Sequence, residues 1–440
     1  MSKNKINLSF LKYVLIFFLL LIVSLFFTPF GNDEIWNYGF SNNIYKGLVV
    51  YKDFNMVITP LYPFIMSLPF HLFTSNILVM DIFNTIIIVM GLFLLDKMFP
   101  KRNIAYLFFL IPILFPSYNI FLFILLVLLI YLEKNYNNDY LIGFIIGMLF
   151  LTKQHVGLII FLVSFIYNFK NYKKNLKRII GFLIPTVIFL IYLISNNALY
   201  DFIDQCFLGL FEFGNKNFKF SIFPILVFLF ILIFTCITIQ KGKKSIENFY
   251  ILAFYSIAIP LIEPYHLQVS LLSFCMFIML NYNIDIKYYK YLNMFFYTCT
   301  AAYILISICN LSKPVIYPNS INHFEYRAIP KKNIDISKKL TDYMKKSNKK
   351  IRIIGSDAYY FKIITDNRVD KLDLINYGNS GYNQTKKLIK ELENNKDCLV
   401  MISIEDISEG KQTNKEIINY IIKNGNKVDS IYFYDIYSFK

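Results

Sequence analysis

Apolar runs of up to about 20 residues recur through the first 310 positions, and a chain built this way must bury most of its length in something other than water. The runs fall near 10–29, 77–96, 103–115, 120–132, 140–152, 156–169, 179–195, 221–240, 247–262, 267–282 and 292–309. Eleven candidate membrane spans result, of which four have only 13 or 14 residues. Spans that short tilt, thin the bilayer locally or sit among neighbours. With 56% hydrophobic and 17% charged residues, the chain reads as an α-helical polytopic membrane protein. The first run follows Lys3 and Lys5 but is too long for a signal-peptide core and lacks a small-residue cleavage site, so a retained signal anchor is expected.

Charge placement sets the expected orientation. The N-terminus and loops 97–102, 133–139, 170–178, 241–246 and 283–291 hold 16 Lys or Arg. The alternate loops 30–76, 116–119, 153–155, 196–220 and 263–266 hold five. The positive-inside rule then puts the N-terminus in the cytoplasm and, after an odd number of spans, the C-terminal region outside the cell membrane. Of the net charge of +16, the stretch from Lys313 onward, with 23 basic and 16 acidic residues, carries +7. The remaining +9 belongs to the membrane part, where the loop clusters explain it, with anionic lipid headgroups as partner and no nucleic acid. A transporter would show the same bias, so it decides topology and not chemistry.

Composition changes near residue 313, which divides a multi-pass segment (1–312) from a small extracytoplasmic α/β domain (313–440). There ISKKLTDYMKK, TKKLIKELEN and KEIINYIIKNG read as helices, the last ended by Gly425; KIRIIG, CLVMIS and SIYFYDIYSF read as three strands. The six cysteines show no metal spacing, and Cys206 and Cys398 in the outer parts are able to pair. Gly143 and Gly147, four apart within one span, suit close helix packing.

The conspicuous polar groups gather on the expected outer side: Asp33-Glu34, Asp53, Thr152-Lys153-Gln154-His155 and Glu263-Pro264-Tyr265-His266, with all four histidines. The first outer loop, 30–76, is long for a plain connector. Within it, 35–45 is expected to form an amphipathic helix lying on the membrane, and 61–73 a second interfacial helix begun by Pro60. Two adjacent acids at a membrane face either end a helix in water or do chemistry. The spacing D-E-x3-Y-x8-G-x3-Y-x-D-x5-T-P-L-Y, carried by Asp33, Glu34, Tyr38, Gly47, Tyr51, Asp53, Thr59, Pro60, Leu61 and Tyr62, favours chemistry.

This stretch resembles the first outer loop of GT-C membrane glycosyltransferases, in the branch of protein O-mannosyltransferases and aminoarabinose transferases. The resemblance is specific in 33–62, weaker at 152–155 and 263–266, and covers the layout of 8–310. It implies an inverting glycosyltransferase that moves a hexosyl or pentosyl group from a polyprenyl-phosphate donor to a cell-envelope glycan, lipid or protein on the outer face. Asp33 would be the base, with Glu34 orienting the acceptor or Asp33. Lys153, Gln154 and His155, with Tyr265 and His266, would hold the donor phosphate; snorkelling of Lys153 and interfacial anchoring by Tyr265 and His266 are the plainer readings. Tyr38, Tyr51, Asp53, Pro60 and Tyr62 would shape the cavity.

A divalent cation is a further possibility left open by the resemblance. Many members carry an acid in the outer loop before the fourth span, where this chain has Asn119, so a two-carboxylate metal site is in doubt. Asp201, Asp204 or Glu212 would have to substitute, and Asp81 inside the second span faces the cavity or pairs with a neighbour. A polysaccharide polymerase or ligase is the second reading, disfavoured by the early acid pair. A flippase or transporter for lipid-linked glycans is the third, disfavoured because no halves repeat.

Overall fold

The structure is a computed structural model that describes residues 8–27, 32–99, 117–136, 138–211, 222–259, 262, 264–281, 294, 315–347, 349–355, 358–366, 371, 381–382, 384–394, 398–408 and 414–439. Its helices are α1 (Leu8–Ile22), α2 (Asn32–Tyr45), α3 (Leu61–Leu72), α4 (Ile77–Met98), α5 (Tyr118–Asn135), α6 (Asp139–Thr152), α7 (Gln154–Tyr167), α8 (Tyr172–Ser195), α9 (Leu199–Ile203), α10 (Ile222–Gln240), α11 (Ile246–Phe254), α12 (Pro264–Asn281), α13 (Lys331–Lys346), α14 (Ala358–Ile364), α15 (Gln384–Asn394), α16 (Ile404–Ser408) and α17 (Lys415–Asn424). The expected span at 103–115 and most of that at 292–309 lie outside the described residues. The chain forms two compact units, one of Met1–Pro29, Leu78–Ile188 and Lys219–Lys313, the other of Phe30–Ile77, Phe189–Phe218 and Pro314–Lys440.

The first unit is helical. Among the described residues four helices of the chain, α4, α5, α8 and α10, are long and apolar enough to cross a membrane. The shorter apolar helices include α6 and α7, at 14 residues each. At 1.5 Å per residue these reach only about 21 Å, less than a hydrocarbon core. α5 is apolar on every side because it is buried on nearly every side, from Asn119 through Val127 and again at Leu129, Ile130 and Leu132. α10 is as apolar, yet Ile222, Phe223, Leu226, Phe230 and Ile233 stand more than half exposed. An apolar surface of that kind suits lipid and not water. α1 is tied to α4 by Lys12 and Tyr13, both donating to Asp96 Oδ2 at 2.6 and 2.7 Å.

α6 and α7 form a hairpin whose tip is Lys153. That residue takes extended backbone angles, φ −151° and ψ 103°, so the helix breaks and restarts. At the other end of the hairpin the Arg178 guanidinium donates both to Asp139 at the start of α6 (3.0 Å) and to Ser164 Oγ near the end of α7 (2.9 Å). The hairpin packs on α8 through glycine. A Cβ on Gly143 would come within 2.1 Å of the Arg178 carbonyl oxygen, and one on Gly147 within 2.6 Å of Pro185 Cγ. The pair expected to pack closely does so.

In the second unit α2 packs against α3 and α14. A Cβ on Gly39 would strike the Tyr359 ring of α14 at 2.4 Å. Contrary to the expectation of a helix lying on the membrane, α2 is buried almost all round: Glu34, Ile35 and 37–43 are covered. Its polar positions Asn37, Ser41, Asn42 and Asn43 imitate an exposed face but are inside. α3 forms at 61–72 as expected.

The tail builds a four-stranded sheet of β3 (Lys350–Ile354), β4 (Cys398–Ser403), β6 (Tyr434–Ser438) and β5 (Asn426–Ile431), in that order, after a two-stranded pair of β1 (Val315–Ile316) and β2 (Ile329–Pro330). β3 and β4 are parallel, the others antiparallel. Alternate residues Cys398, Val400 and Ile402 of β4 form a core with Leu388 and Leu392 of α15 and Ile417, Ile418 and Ile421 of α17. The last expected strand, 430–439, is instead part of a hairpin. Tyr432 adopts φ +54° and turns the chain, so residues from 426 on supply a strand of their own. Cys206 and Cys398 are both buried as free thiols.

Gly143→Val forces the α6 and α8 backbones apart, since the clashing atom is main chain. Overpacking of this kind costs about 1–3 kcal/mol. The detergent-solubilised variant is expected to melt several degrees below the wild type in a tryptophan-independent thermal assay.

Candidate functional site

The acid pair opens α2. Both carboxylates fall in the helix's first turn, where the free N–H groups favour negative charge. Their surroundings differ. Asp33 is exposed, with Asn37 Nδ2 donating to its main-chain oxygen at 2.6 Å. Glu34 is 1% exposed and meets the Arg327 guanidinium: Nη2 lies 2.7 Å from Oε1 and 2.8 Å from Oε2. Arg327 is itself fully buried. The two acids read from sequence as one site therefore have separate duties. Glu34 holds the start of α2, and Asp33 alone of the two faces outward.

The rest of the loop motif is a buried frame behind Asp33. The Tyr38 hydroxyl donates to the Ser75 carbonyl, and its ring lies against Phe70 and Phe324. Gly47, at φ +79°, makes the turn after α2. Asp53 Oδ2 accepts from the Val49 N–H at 2.7 Å and Asp53 N–H donates back to the Val49 carbonyl at 2.9 Å, closing a small ring. Tyr51 is buried at φ +68°, an unusual conformation for a bulky residue, with its hydroxyl on the Ile58 carbonyl at 2.9 Å. Gln205 clamps the same loop, donating to the Tyr51 carbonyl (3.0 Å) and accepting from Met56 N–H (2.9 Å). Pro60 precedes α3, and Tyr62 on its first turn is fully buried. Tyr38, Tyr51, Pro60 and Tyr62 are buried and Asp53 is half-buried, so of the motif's acids Asp33 is the most exposed.

In the first unit, Lys153 at the hairpin tip is 5% exposed. Its ammonium lies 3.4 Å from Asn119 Oδ1, 3.3 Å from the Ile257 carbonyl and 5.5 Å from the Tyr118 ring centre. Asn119 stands where an acid was expected from the resemblance; here the lysine meets a neutral amide there. Gln154 is buried beside it. His155 is half-buried, with Nε2 3.2 Å from the Ser256 carbonyl. His266 lies half-buried on the first turn of α12. Tyr265 is in the same turn, and Glu263 and the Tyr265 side chain lie outside the described parts. A buried lysine among carbonyl and amide oxygens offers a point charge to an anion.

Two of the acids considered for a cation, Asp201 and Asp204, have partners of their own. Asp201 pairs with Lys371 at 3.2 Å, and Asp204, 1% exposed, accepts from Tyr382 N–H at 3.2 Å. Asp81 is fully buried within α4, and Glu212 lies outside the described residues. Among the described residues no group of three or more His, Cys, Asp or Glu is placed to hold a metal ion.

Sequence reasoning missed Arg327 and the role of Asn119. A signal for the first was present. The chain has 45 basic residues, of which five are arginine. Three of those five, Arg178, Arg327 and Arg352, are at most 2% exposed, and each meets a glutamate: Glu133, Glu34 and Glu391. A lysine-rich chain that keeps a few arginines keeps them where a planar fork is needed in the dry interior.

ArnT from Cupriavidus metallidurans, an aminoarabinose transferase solved bound to undecaprenyl phosphate, superposes with a TM-score of 0.55 at 10% identity over 98% of both chains. The same protein in the apo state matches with the same score over 98% of this chain and 97% of that one. An Archaeoglobus fulgidus oligosaccharyltransferase, solved with zinc and sulfate, matches with a TM-score of 0.50 at 12% identity over 95% of this chain and 71% of that one. No family model matches the chain, and no curated protein does. The chain thus has the fold of the GT-C glycosyltransferases.

Arg327→Met leaves Glu34 buried without its cation, a loss of about 3–5 kcal/mol, while replacing both members by apolar residues is close to neutral. The melting temperature is therefore expected to fall sharply for Arg327→Met, to recover in Glu34→Leu/Arg327→Met, and to stay near wild type for exposed Asp33→Asn. A second ion pair sets a pH dependence. Burial raises the Asp366 carboxyl, but the hydrogen bond and charge of His323 and the charge of Lys46 outweigh it and hold the group below its ordinary value. Such a group contributes stability that is full above its unfolded value and lost as pH falls through its folded one. Asp366 is 58% exposed, so screening limits the effect to about 1 kcal/mol or less. The stability gap between wild type and Asp366→Asn should be present near neutral pH and close as the pH falls below the ordinary carboxylate range.

Proposed function

We propose that this protein is an inverting glycosyltransferase using a polyprenyl-phosphate sugar and acting on an acceptor at the outer face of the membrane. The observation that carries the reading is Asp33: one exposed carboxylate at the start of α2, set on a motif whose Glu34, Tyr38, Tyr51, Pro60 and Tyr62 are buried. The shared fold with a protein solved bound to undecaprenyl phosphate supports the donor class.

In the proposed step an acceptor hydroxyl attacks the anomeric carbon as the bond from that carbon to the phosphate oxygen breaks. The hydroxyl proton passes to Asp33, and the polyprenyl phosphate leaves with the electron pair. Inversion follows from a single displacement with no sugar-enzyme intermediate. Lys153 is the proposed cation for the departing phosphate, where a fixed charge among dipoles acts without reorganisation. His155 and His266 are proposed as further donors. A cation, where one is used, would add Lewis-acid stabilisation of that phosphate; the described acids do not form a site for it. The long loop 30–76 and the C-terminal elements are proposed to lie outside the cell, with the N-terminus in the cytoplasm.

The test is sugar release from a panel of polyprenyl-phosphate sugars by purified protein. One donor should turn over in wild type, fall about 10²-fold or more in Asp33→Asn, and fall in Lys153→Gln while the fold persists. Equal turnover by wild type and Asp33→Asn would remove Asp33 as the base.

A further inference from the structure

The first unit carries a second polar centre, far from Lys153. Asn119, at the start of α5, touches Lys153, whereas Lys134 is at the helix's other end. Fifteen residues of helix separate those positions by about 22 Å. At that far end a cavity of about 500 Å³ is lined by Lys134, Lys243, Lys244, Glu247, Asn248 and Asn281, among others. It brings together two of the loops that sequence reasoning counted among the basic inner set, 133–139 and 241–246.

The walls are built and not merely crowded. Asn248, 1% exposed, and Asn281 exchange amide hydrogen bonds at 2.8 Å in both directions, joining α11 to α12. Asn248 Nδ2 also holds the Lys243 carbonyl at 2.9 Å, and the Tyr167 hydroxyl holds the Lys244 carbonyl at 3.0 Å. The lysine backbones are thereby pinned while their side chains are exposed. Gly242, at φ +110°, makes the turn that presents them. The cavity also meets the start of α11, where Ser245 Oγ accepts from the Asn248 N–H and the positive end of the helix favours an anion. Three lysines and a single acid, Glu247, are among the lining residues, so the lining is net positive.

We propose that this cavity is a binding site for a phosphate group, carried by the headgroup of an anionic membrane lipid. The positive lining and the helix start select the phosphate. The lipid source follows from the position at the end of an apolar bundle, with Tyr167, Phe169 and Tyr172 of the adjoining turn 46–71% exposed. The site is independent of the sugar chemistry, because it lies at the other end of α5 and needs neither Asp33 nor Lys153.

The test uses the full chain in detergent, with native mass spectrometry to count bound dioleoyl phosphatidylglycerol and dioleoyl phosphatidylcholine. Wild type should bind the first in preference to the second. Lys134→Gln/Lys243→Gln/Lys244→Gln should weaken phosphatidylglycerol binding about tenfold or more. A control, Lys170→Gln/Lys173→Gln/Lys177→Gln, removes equal charge from exposed positions in the turn after α7 and the first turns of α8, outside the lining, and should leave binding intact. Equal losses in the two triple variants, or no loss in the first, would overturn the proposal. In a second arm, inorganic phosphate is titrated into the same complex. Displacement of the lipid at low millimolar phosphate would assign the site to a soluble phosphate instead, and retention of the lipid would support the headgroup.

Discussion

Within the second unit everything near Asp33 depends on one buried ion pair. Glu34 and Arg327 are 293 positions apart in sequence and both essentially without solvent contact. Two charges are costly to dehydrate, and their attraction repays this only when geometry is good. Here one guanidinium nitrogen sits within 2.8 Å of both carboxylate oxygens. The start of α2 is therefore held by a residue of the tail, and so is the direction in which its neighbour Asp33 points. Neighbouring links repeat the pattern: Asn76 to Glu325 at 2.7 Å, and Ile77 N–H to the His323 carbonyl at 3.1 Å. A segment that reads as an appended domain is thus part of the framework of the first loop.

The first unit solves a different problem. An apolar bundle has nowhere to put charges except at helix ends or in mutual pairs, because hydrocarbon offers them no hydrogen bonds. One polar cluster forms around Lys153, where α6 and α7 meet in a single extended residue. Another forms around Arg178, which holds Glu133 at 2.6 Å, Asp139 at 3.0 Å and the Tyr250 hydroxyl at 2.9 Å. Between them α6, α7 and α8 meet through glycines and the rings of Phe150, Phe161 and Phe182.

Much of this was legible. Helices at 61–72, 118–135 and 384–394 follow from apolar periodicity and from Pro60 and Pro63 at a helix start, and strands at 350–354 and 398–403 from short β-branched runs. The motif from Asp33 to Tyr62 was legible as a unit because its spacing survives even though the residues do unlike things. The misreadings share one cause. Asn37, Asn42 and Asn43 look solvent-facing, yet each is only 2% exposed. Asn37 Nδ2 donates to the Asp33 carbonyl, while Asn42 Oδ1 and Asn43 Nδ2 are buried without a hydrogen-bond partner among the described residues, which no polarity pattern foretells. Residues 426–431 are mostly exposed and polar, so nothing in their composition marks them as an edge strand; pairing with 434–438 does.

By itself the sequence determined the helical membrane class, the α/β character of the tail and the location of the acid pair, because hydropathy and turn chemistry act locally. Only the tertiary structure decided that Glu34 is a buried anchor and Asp33 an exposed acid, since identical carboxylates one residue apart differ by 100° around a helix and by what packs there. Only it brought Lys153 to Asn119 and Lys134 to Lys243. Those meetings depend on how far-separated helices stack, and side-chain packing across such distances leaves no periodic trace in the chain.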